Sequence, residues 1–219
     1  MHNPINNLIN IENQLKDLNI NNNKIKSEII AVSKTYPIKD ILPLIKYGHI
    51  NFGENKIQEA LEKWSDVKSN FSNLKLHMLG KVQTNKVKFL IPLFDYIHSL
   101  DNLKLAEKIS QEENKKNKKI KIFIQVNIGK EKQKNGVDIE NLEDFYKECS
   151  LNLGLNIIGL MCLPPKYEVS SKFFINMKEL SDKLNLPNLS MGMSNDFVEA
   201  AKYGATYLRI GSKIFGERI

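Results

Sequence analysis

The chain has 219 residues, 42% hydrophobic and 26% charged, with 32 Lys+Arg against 25 Asp+Glu for a formal net charge of +7. These proportions belong to a globular protein large enough to bury its own core, and no stretch approaches the ~20 apolar residues of a membrane span. The only cysteines, Cys149 and Cys162, form no CxxC pair, which excludes a disulfide scaffold and a zinc knuckle and fits a reducing cytoplasm; the N-terminal Met1-His2-Asn3-Pro4 has neither the basic nor the apolar segment of a signal peptide.

In chain order, Ile5, Leu8, Ile11, Leu15 and Leu18 recur at steps of three and four, the spacing of an amphipathic helix, which should stop at the turn-like Asn21-Asn22-Asn23. Short apolar runs then alternate with segments of helical period. Ile29–Ser33 leads to Lys34 and a helical 38–47, and His49–Phe52 leads to Gly53-Glu54-Asn55 and a helical 55–65. Leu76–Leu79 ends at Gly80; Tyr96–His98 ends at Ser99 and is followed by a helical 101–113. The densest basic run, Asn114-Lys115-Lys116-Asn117-Lys118-Lys119, reads as the solvated end of that helix, where cations complement the dipole. Ile120–Val126 ends at Asn127 before a helical 139–150; Ile157–Met161 ends before Pro164-Pro165 and a helical 169–184. Leu189–Met193 ends at Ser194 before a helical 196–203, and Tyr207–Ile210 ends at Gly211-Ser212.

Eight short strands alternating with helices predict a parallel sheet, and eight such units in this length predict a closed (β/α)8 TIM barrel, an α/β fold. Residues 1–219 then form a single domain, with the N-terminal helix as an extra element across the bottom of the barrel. Function in such a barrel sits at the C-terminal strand ends. This places Lys34, Glu54, Asn55, Ser99, Asn127, Met161, Ser194, Arg209, Gly211 and Ser212 around one mouth.

Ser194 reads as an N-cap and Gly204 as the glycine just past the end of the same helix, so free N–H groups would face the mouth. Gly211 lets a ligand approach the backbone. The loops after strands seven and eight are the usual phosphate site of this fold; the plain alternative is a capped helix and a tight turn. Lys34 is either one more solvated lysine or an amine whose pKa is lowered enough to attack an aldehyde. Thirty of the basic residues are Lys and only Arg209 and Arg218 are Arg, in a chain with 26 Asn. This is the signature of an AT-rich coding bias, in which Lys replaces Arg wherever charge alone matters, so the pI of about 9.2 says little about nucleic acid. No RNP-like aromatic pattern accompanies the basic run, which argues further against it. Arg209 therefore suggests a planar need that Lys cannot meet, such as an in-plane bond to a ring nitrogen or carboxylate, or else an ion pair inside the barrel with Glu54. There is no HExxH, GxGxxG, GxxxxGK[ST] or GxSxG, and no metal site is predicted. His77 and His98 read as polar strand residues, and Met191 and Met193 as core residues sharing one face of strand seven.

Several blocks, in order, resemble one family. They are Ala31-Val32-Ser33-Lys34-Thr35, Phe52-Gly53-Glu54-Asn55, His77-Met78-Leu79-Gly80 with Gln83, Asn85 and Lys86, Ile97-His98-Ser99, Gln125-Val126-Asn127-Ile128, Gly159-Leu160-Met161 with Pro164, Ser190-Met191-Gly192-Met193-Ser194, and Arg209-Ile210-Gly211-Ser212 with Phe215-Gly216. Across nearly its whole length the chain is similar to the YggS/PROSC family of pyridoxal 5′-phosphate (PLP) homeostasis proteins. The resemblance implies an alanine-racemase N-terminal-domain-like barrel. It implies that Lys34 holds PLP as a Schiff base, that Ser194, Gly211 and Ser212 hold its phosphate, that Arg209 bonds the pyridine nitrogen, and that Asn55 and Met161 line the ring pocket. Lys81, Cys162, Gln133 and Ser212 depart from the family pattern without removing a ligand.

Arg209 does not readily give up a proton, so a pyridine nitrogen facing it stays unprotonated and the ring is a weak electron sink. The chain ends a few residues after strand eight, leaving no room for the β-domain that gives alanine racemases their second acid–base group. The expectation is a cytoplasmic, monomeric carrier of PLP without strong turnover, with PLP-dependent apoenzymes as the implied recipients. The alternatives are a small PLP-dependent amino-acid racemase using Tyr36 as its second base, and a phosphate-binding barrel enzyme without PLP.

Overall fold

The computed structural model describes residues 3–21, 26–131 and 135–217. Asn22 and Asn23 of the expected turn, and His2, Gln133 and Arg218, lie outside the described residues. Eight parallel strands pair in sequence order: β1 (Glu28–Val32), β2 (Asn51–Glu54), β3 (Lys75–Met78), β4 (Tyr96–Leu100), β5 (Lys121–Val126), β6 (Ile157–Cys162), β7 (Asn188–Ser190) and β8 (Tyr207–Ile210). β8 returns to pair with β1, Glu28 opposite Tyr207 and Ala31 opposite Ile210, so the sheet closes. The predicted barrel is present, and its strands lie within two or three residues of the apolar runs. These runs are nearly continuous because a barrel strand is buried on both faces.

Helices cross between consecutive strands: α2 (Ile38–Tyr47), α3 (Ile57–Asn70), α4 (Val87–Leu93), α5 (Leu103–Lys116), α6 (Leu142–Lys147), α7 (Ser170–Lys183) and α8 (Phe197–Lys202). The basic run does lie at a helix end, since Lys115 and Lys116 close α5 and Asn117 caps it in the left-handed conformation. α4 is absent from the helical segments read from the sequence; it is seven residues long and carries Pro92 inside it.

The helix α1 (Pro4–Asn21) is not a lid under the barrel. It packs against α2, α8 and the four-residue α9 (Ser212–Phe215) on the outside. The unit after β8 has no helix long enough to cover its strands, and α1 fills that place in the outer ring. Leu8 and Ile11 are fully buried there, and the Asn7 side-chain amide donates to the Ile214 carbonyl at 2.9 Å.

Two cores result. The large one lies between the sheet and the helices and holds Phe52, Trp64, Phe94, Phe174 and Phe197. The small one fills the barrel and contains Ile30, Tyr96, Phe123, Met161 and Tyr207. The end of β7 corrects one expectation. The strand stops at Ser190 and the chain turns at Gly192, whose φ is +87° and whose added Cβ would lie 2.5 Å from the Ala200 methyl. Met191 and Met193 therefore share no face: Met191 is buried in the outer core and Met193 is exposed at 41%.

Because Leu8 sits at the joint between the first and last helices, Leu8→Ala is expected to lower the unfolding free energy by about 2–5 kcal/mol. Urea unfolding measures this, and a change under ~1 kcal/mol would show that α1 lies outside the cooperative unit.

Candidate cofactor site

Side chains alternate along each strand, and this decides which strand-end residues reach the mouth. On β2, Asn51 and Gly53 face the barrel interior while Phe52 and Glu54 face α3. Glu54 is fully buried there: its Oε1 accepts from Ser33 Oγ at 2.8 Å, Trp64 Nε1 at 2.9 Å and Lys63 Nζ at 3.0 Å. Glu54 is thus not a mouth residue and not the partner of Arg209. Ser99 and Asn127 are also committed elsewhere. Ser99 Oγ donates to the Gly80 carbonyl, and Asn127 ties Glu131 and Asp138 into the loop after β5.

Lys34 shares the inward parity of Glu28, Ile30 and Val32, and it occupies the first corner of a tight turn in which the Tyr36 N–H donates to the Ser33 carbonyl at 3.1 Å. The second corner, Thr35, has φ +70°. A β-branched residue there costs about 1–3 kcal/mol, and such strain persists only where surrounding contacts hold it. α3 supplies those contacts. Glu59 accepts from the Thr35 N–H, while Lys63 Nζ donates to the Ser33 carbonyl at 2.9 Å, to Glu54 and, at 2.8 Å, to Glu59. Desolvation would raise the Glu59 carboxyl, but the bonds from Lys63 and the Thr35 N–H outweigh it and hold the group below the ordinary carboxylate range. The Lys34 turn is thus held by a partly buried ionic clamp that the residue pattern around it did not reveal.

The adjoining wall is formed by β6–β8, with β8 paired directly to β1. Arg209 is buried, with Nη1 donating to Ser190 Oγ and Nη2 to the Cys162 carbonyl, both at 2.7 Å. Among the described residues no carboxylate lies within ion-pair distance of it, and burial lowers its pKa. Ser194 is not an N-cap. α8 begins at Phe197 behind Asp196, whose Oδ1 accepts from the Met193 N–H at 2.7 Å. Ser194 Oγ turns instead to the start of α9, accepting from the Lys213 N–H at 3.3 Å. Beside it, the Gly211 and Ser212 N–H groups make no hydrogen bond within the protein among the described residues. A hydroxyl and two unpaired N–H groups on a turn suit a phosphate.

The same structure places Met161 on the inner wall with Phe123 and Tyr207. Asn55 is half-buried in the loop after β2, so close to the loop after β3 that a Cβ on Gly80 would lie 2.2 Å from the Asn55 carbonyl oxygen. The site's lysine, guanidinium, hydroxyl and free N–H groups fit the amine-, nitrogen- and phosphate-binding needs of PLP.

Sequence reasoning missed a hydrogen-bonded series inside the barrel: Glu28, Asn51, His77, His98, Ser190 and Arg209. Its members come from several strands around the barrel, so only the register reveals it.

The closed eight-stranded barrel is that of the alanine racemase N-terminal domain, and that family matches residues 7–219. An alanine racemase of Clostridium difficile shares the fold, with a TM-score of 0.79 over 99% of this chain and 57% of that one at 18% identity. Within the class, the chain belongs to the family of pyridoxal phosphate homeostasis proteins: it is 40% identical to that of Aquifex aeolicus over 88% of this chain and 87% of the relative. The Haemophilus influenzae protein of the same name is 37% identical over 95% and 91%. The structure of PipY from Synechococcus elongatus with PLP bound matches with a TM-score of 0.81 at 32% identity, over 93% of this chain and 99% of that one.

Burial holds His77 and His98 well below the usual imidazole range and His49 at about 4. The unfolded chain takes up protons on these rings near pH 6.5 while the fold does not, so stability present above pH 6.5 is expected to fall as the pH drops toward about 4. Urea midpoints at pH 7.5, 6 and 5 measure this, and a flat profile would contradict it.

Proposed function

We propose that this barrel, residues 1–219 as one domain, binds PLP through Lys34 and serves PLP homeostasis without strong turnover of its own. The observation that carries this reading is Arg209: a buried cation with no carboxylate within ion-pair distance among the described residues, its plane fixed by Ser190 and Cys162. When bound, PLP supplies an aldehyde open to an amine and a ring able to withdraw electrons. Lys34 supplies that amine, Ser194, Gly211 and Ser212 hold the phosphate, Arg209 faces the ring nitrogen, and Asn55 and Met161 line the ring pocket. A guanidinium does not release its proton at physiological pH, so it keeps the ring nitrogen unprotonated and the ring a poor electron sink.

The racemase alternative needs a second acid–base group. Tyr36 is occupied: its hydroxyl donates to the Gly216 carbonyl at 2.7 Å and its ring stacks on Phe215. Membership in the homeostasis family supports the carrier role, and we propose that the carrier acts as a monomer in the cytoplasm with PLP-dependent apoenzymes as its recipients. The two cysteines are unpaired and buried, and burial pushes both thiols up to about 12, which suits a reducing compartment. No helix among the described residues is long and apolar enough to cross a membrane.

The test is the near-UV and visible spectrum of the protein with PLP, before and after borohydride. A visible band that borohydride abolishes and Lys34→Ala lacks is expected; a wild-type protein that stays colourless with added PLP would overturn the reading. Arg209→Lys is expected to keep the band but weaken PLP binding about tenfold, because one ammonium cannot reproduce two fixed in-plane bonds. Equilibrium dialysis measures this, and unchanged retention would remove Arg209 as the ring partner.

A further inference from the structure

A polar column runs through the barrel from the N-terminal end of β1 to the mouth. Asn51 Nδ2 donates to Glu28 Oε2 at 3.0 Å, and Asn51 Oδ1 lies 3.1 Å from His77 Nε2. His77 Nδ1 lies 3.0 Å from His98 Nε2, His98 Nδ1 lies 2.8 Å from Ser190 Oγ, and Ser190 Oγ accepts from Arg209 Nη1 at 2.7 Å. The two ends fix every proton between them. A carboxylate only accepts, so Asn51 turns its amide NH2 to Glu28 and its oxygen to His77. His77 Nε2 must then carry hydrogen, leaving Nδ1 bare. His98 Nε2 must donate to that bare nitrogen, leaving its own Nδ1 to accept from the Ser190 hydroxyl. The Ser190 oxygen is left to accept from Arg209. A second proton on either ring would set two N–H groups, or an N–H and an O–H, head to head. His77 is stacked on Tyr96 at 4.1 Å and His98 on Phe123 at 4.4 Å, so neither ring can turn away. All donors point from the guanidinium to the carboxylate, an alignment in which each bond polarises the next.

We infer that Glu28, Asn51, His77, His98 and Ser190 form a single-register relay that sets the plane of Arg209, so that groups at the bottom of the barrel govern how firmly the ring nitrogen is held at the mouth. The two histidines are then positioning residues held as neutral Nε2–H tautomers. The inference rests on the reading of Arg209 as the ring partner, but its proton arrangement can be tested without any ligand.

Long-range ¹H–¹⁵N correlation spectra of the histidine-labelled, PLP-free protein at pH 7 are expected to show both rings as Nε2–H tautomers. An Nδ1–H tautomer or an imidazolium at either position would overturn the relay. Glu28→Gln, at the far end, removes the group that fixes the Asn51 amide. Mixed tautomers at His77 and His98 are expected, with PLP dissociation constants raised roughly two- to thirtyfold, the range of couplings carried through packed networks. Ser190→Ala is expected to weaken PLP similarly, and Ser190→Thr to restore it. If Glu28→Gln folds with tautomers and PLP affinity unchanged while Ser190→Ala weakens binding, Ser190 alone holds Arg209 and the relay is overturned. A wild-type protein with the expected tautomers that binds no PLP would instead sink the functional reading and leave the proton arrangement intact.

Discussion

The pairing of β8 with β1 is the contact on which the rest depends. Without it the sheet is an open ribbon with two exposed edges, and the two halves of the site lie at opposite ends of it. With it, the Lys34 turn stands beside the start of α9, so close that a Cβ on Gly211 would lie 3.4 Å from the Val32 carbonyl oxygen. The site is therefore a product of closure: one wall comes from the first strand and the other from the last three.

Closure also creates an interior, and the chain fills it in an unusual way. The inner apolar cluster has only five buried members, and imidazoles, an amide, a hydroxyl and a guanidinium occupy the remaining axis. Polar groups in a low-dielectric space are tolerable only when each donor finds an acceptor. Here the amide, both imidazoles and the hydroxyl are all paired along the column, and two of the five guanidinium N–H groups are taken, by Ser190 and the Cys162 carbonyl. Cohesion comes chiefly from the outer layer, where Trp64, Phe52 and the helix faces bury their surface against the sheet. The two layers divide the labour: the outer core holds the barrel shut, and the inner column is free to be specified by chemistry.

Much of this was legible in the residues. Strands buried on both faces read as unbroken apolar runs, and Lys34, Gly211 and Ser212 stand out as the residues just past the ends of such runs. The features that escaped depend on neighbours that are distant in sequence. The outward aim of Glu54 depends on strand parity at the last position of β2, where Trp64 and Lys63 await it. Ser194 looked like a cap because it precedes a helical stretch, but the helix starts at Phe197 and Asp196 takes the cap position. α4 escaped because Pro92 interrupts an already short pattern. The histidine column has no spacing signature, since each member meets its partner through register between strands.

The position of α1 bears on how the molecule is made. α1 buries its face against α2, α8 and α9, and the last two follow it in the chain only after seven and eight strands. Leu8 and Ile11 are therefore sheltered only once segments distant in sequence have come together. Contacts of such long separation carry a large loop-closure cost before they form, so this seam is a slow step in shutting the barrel.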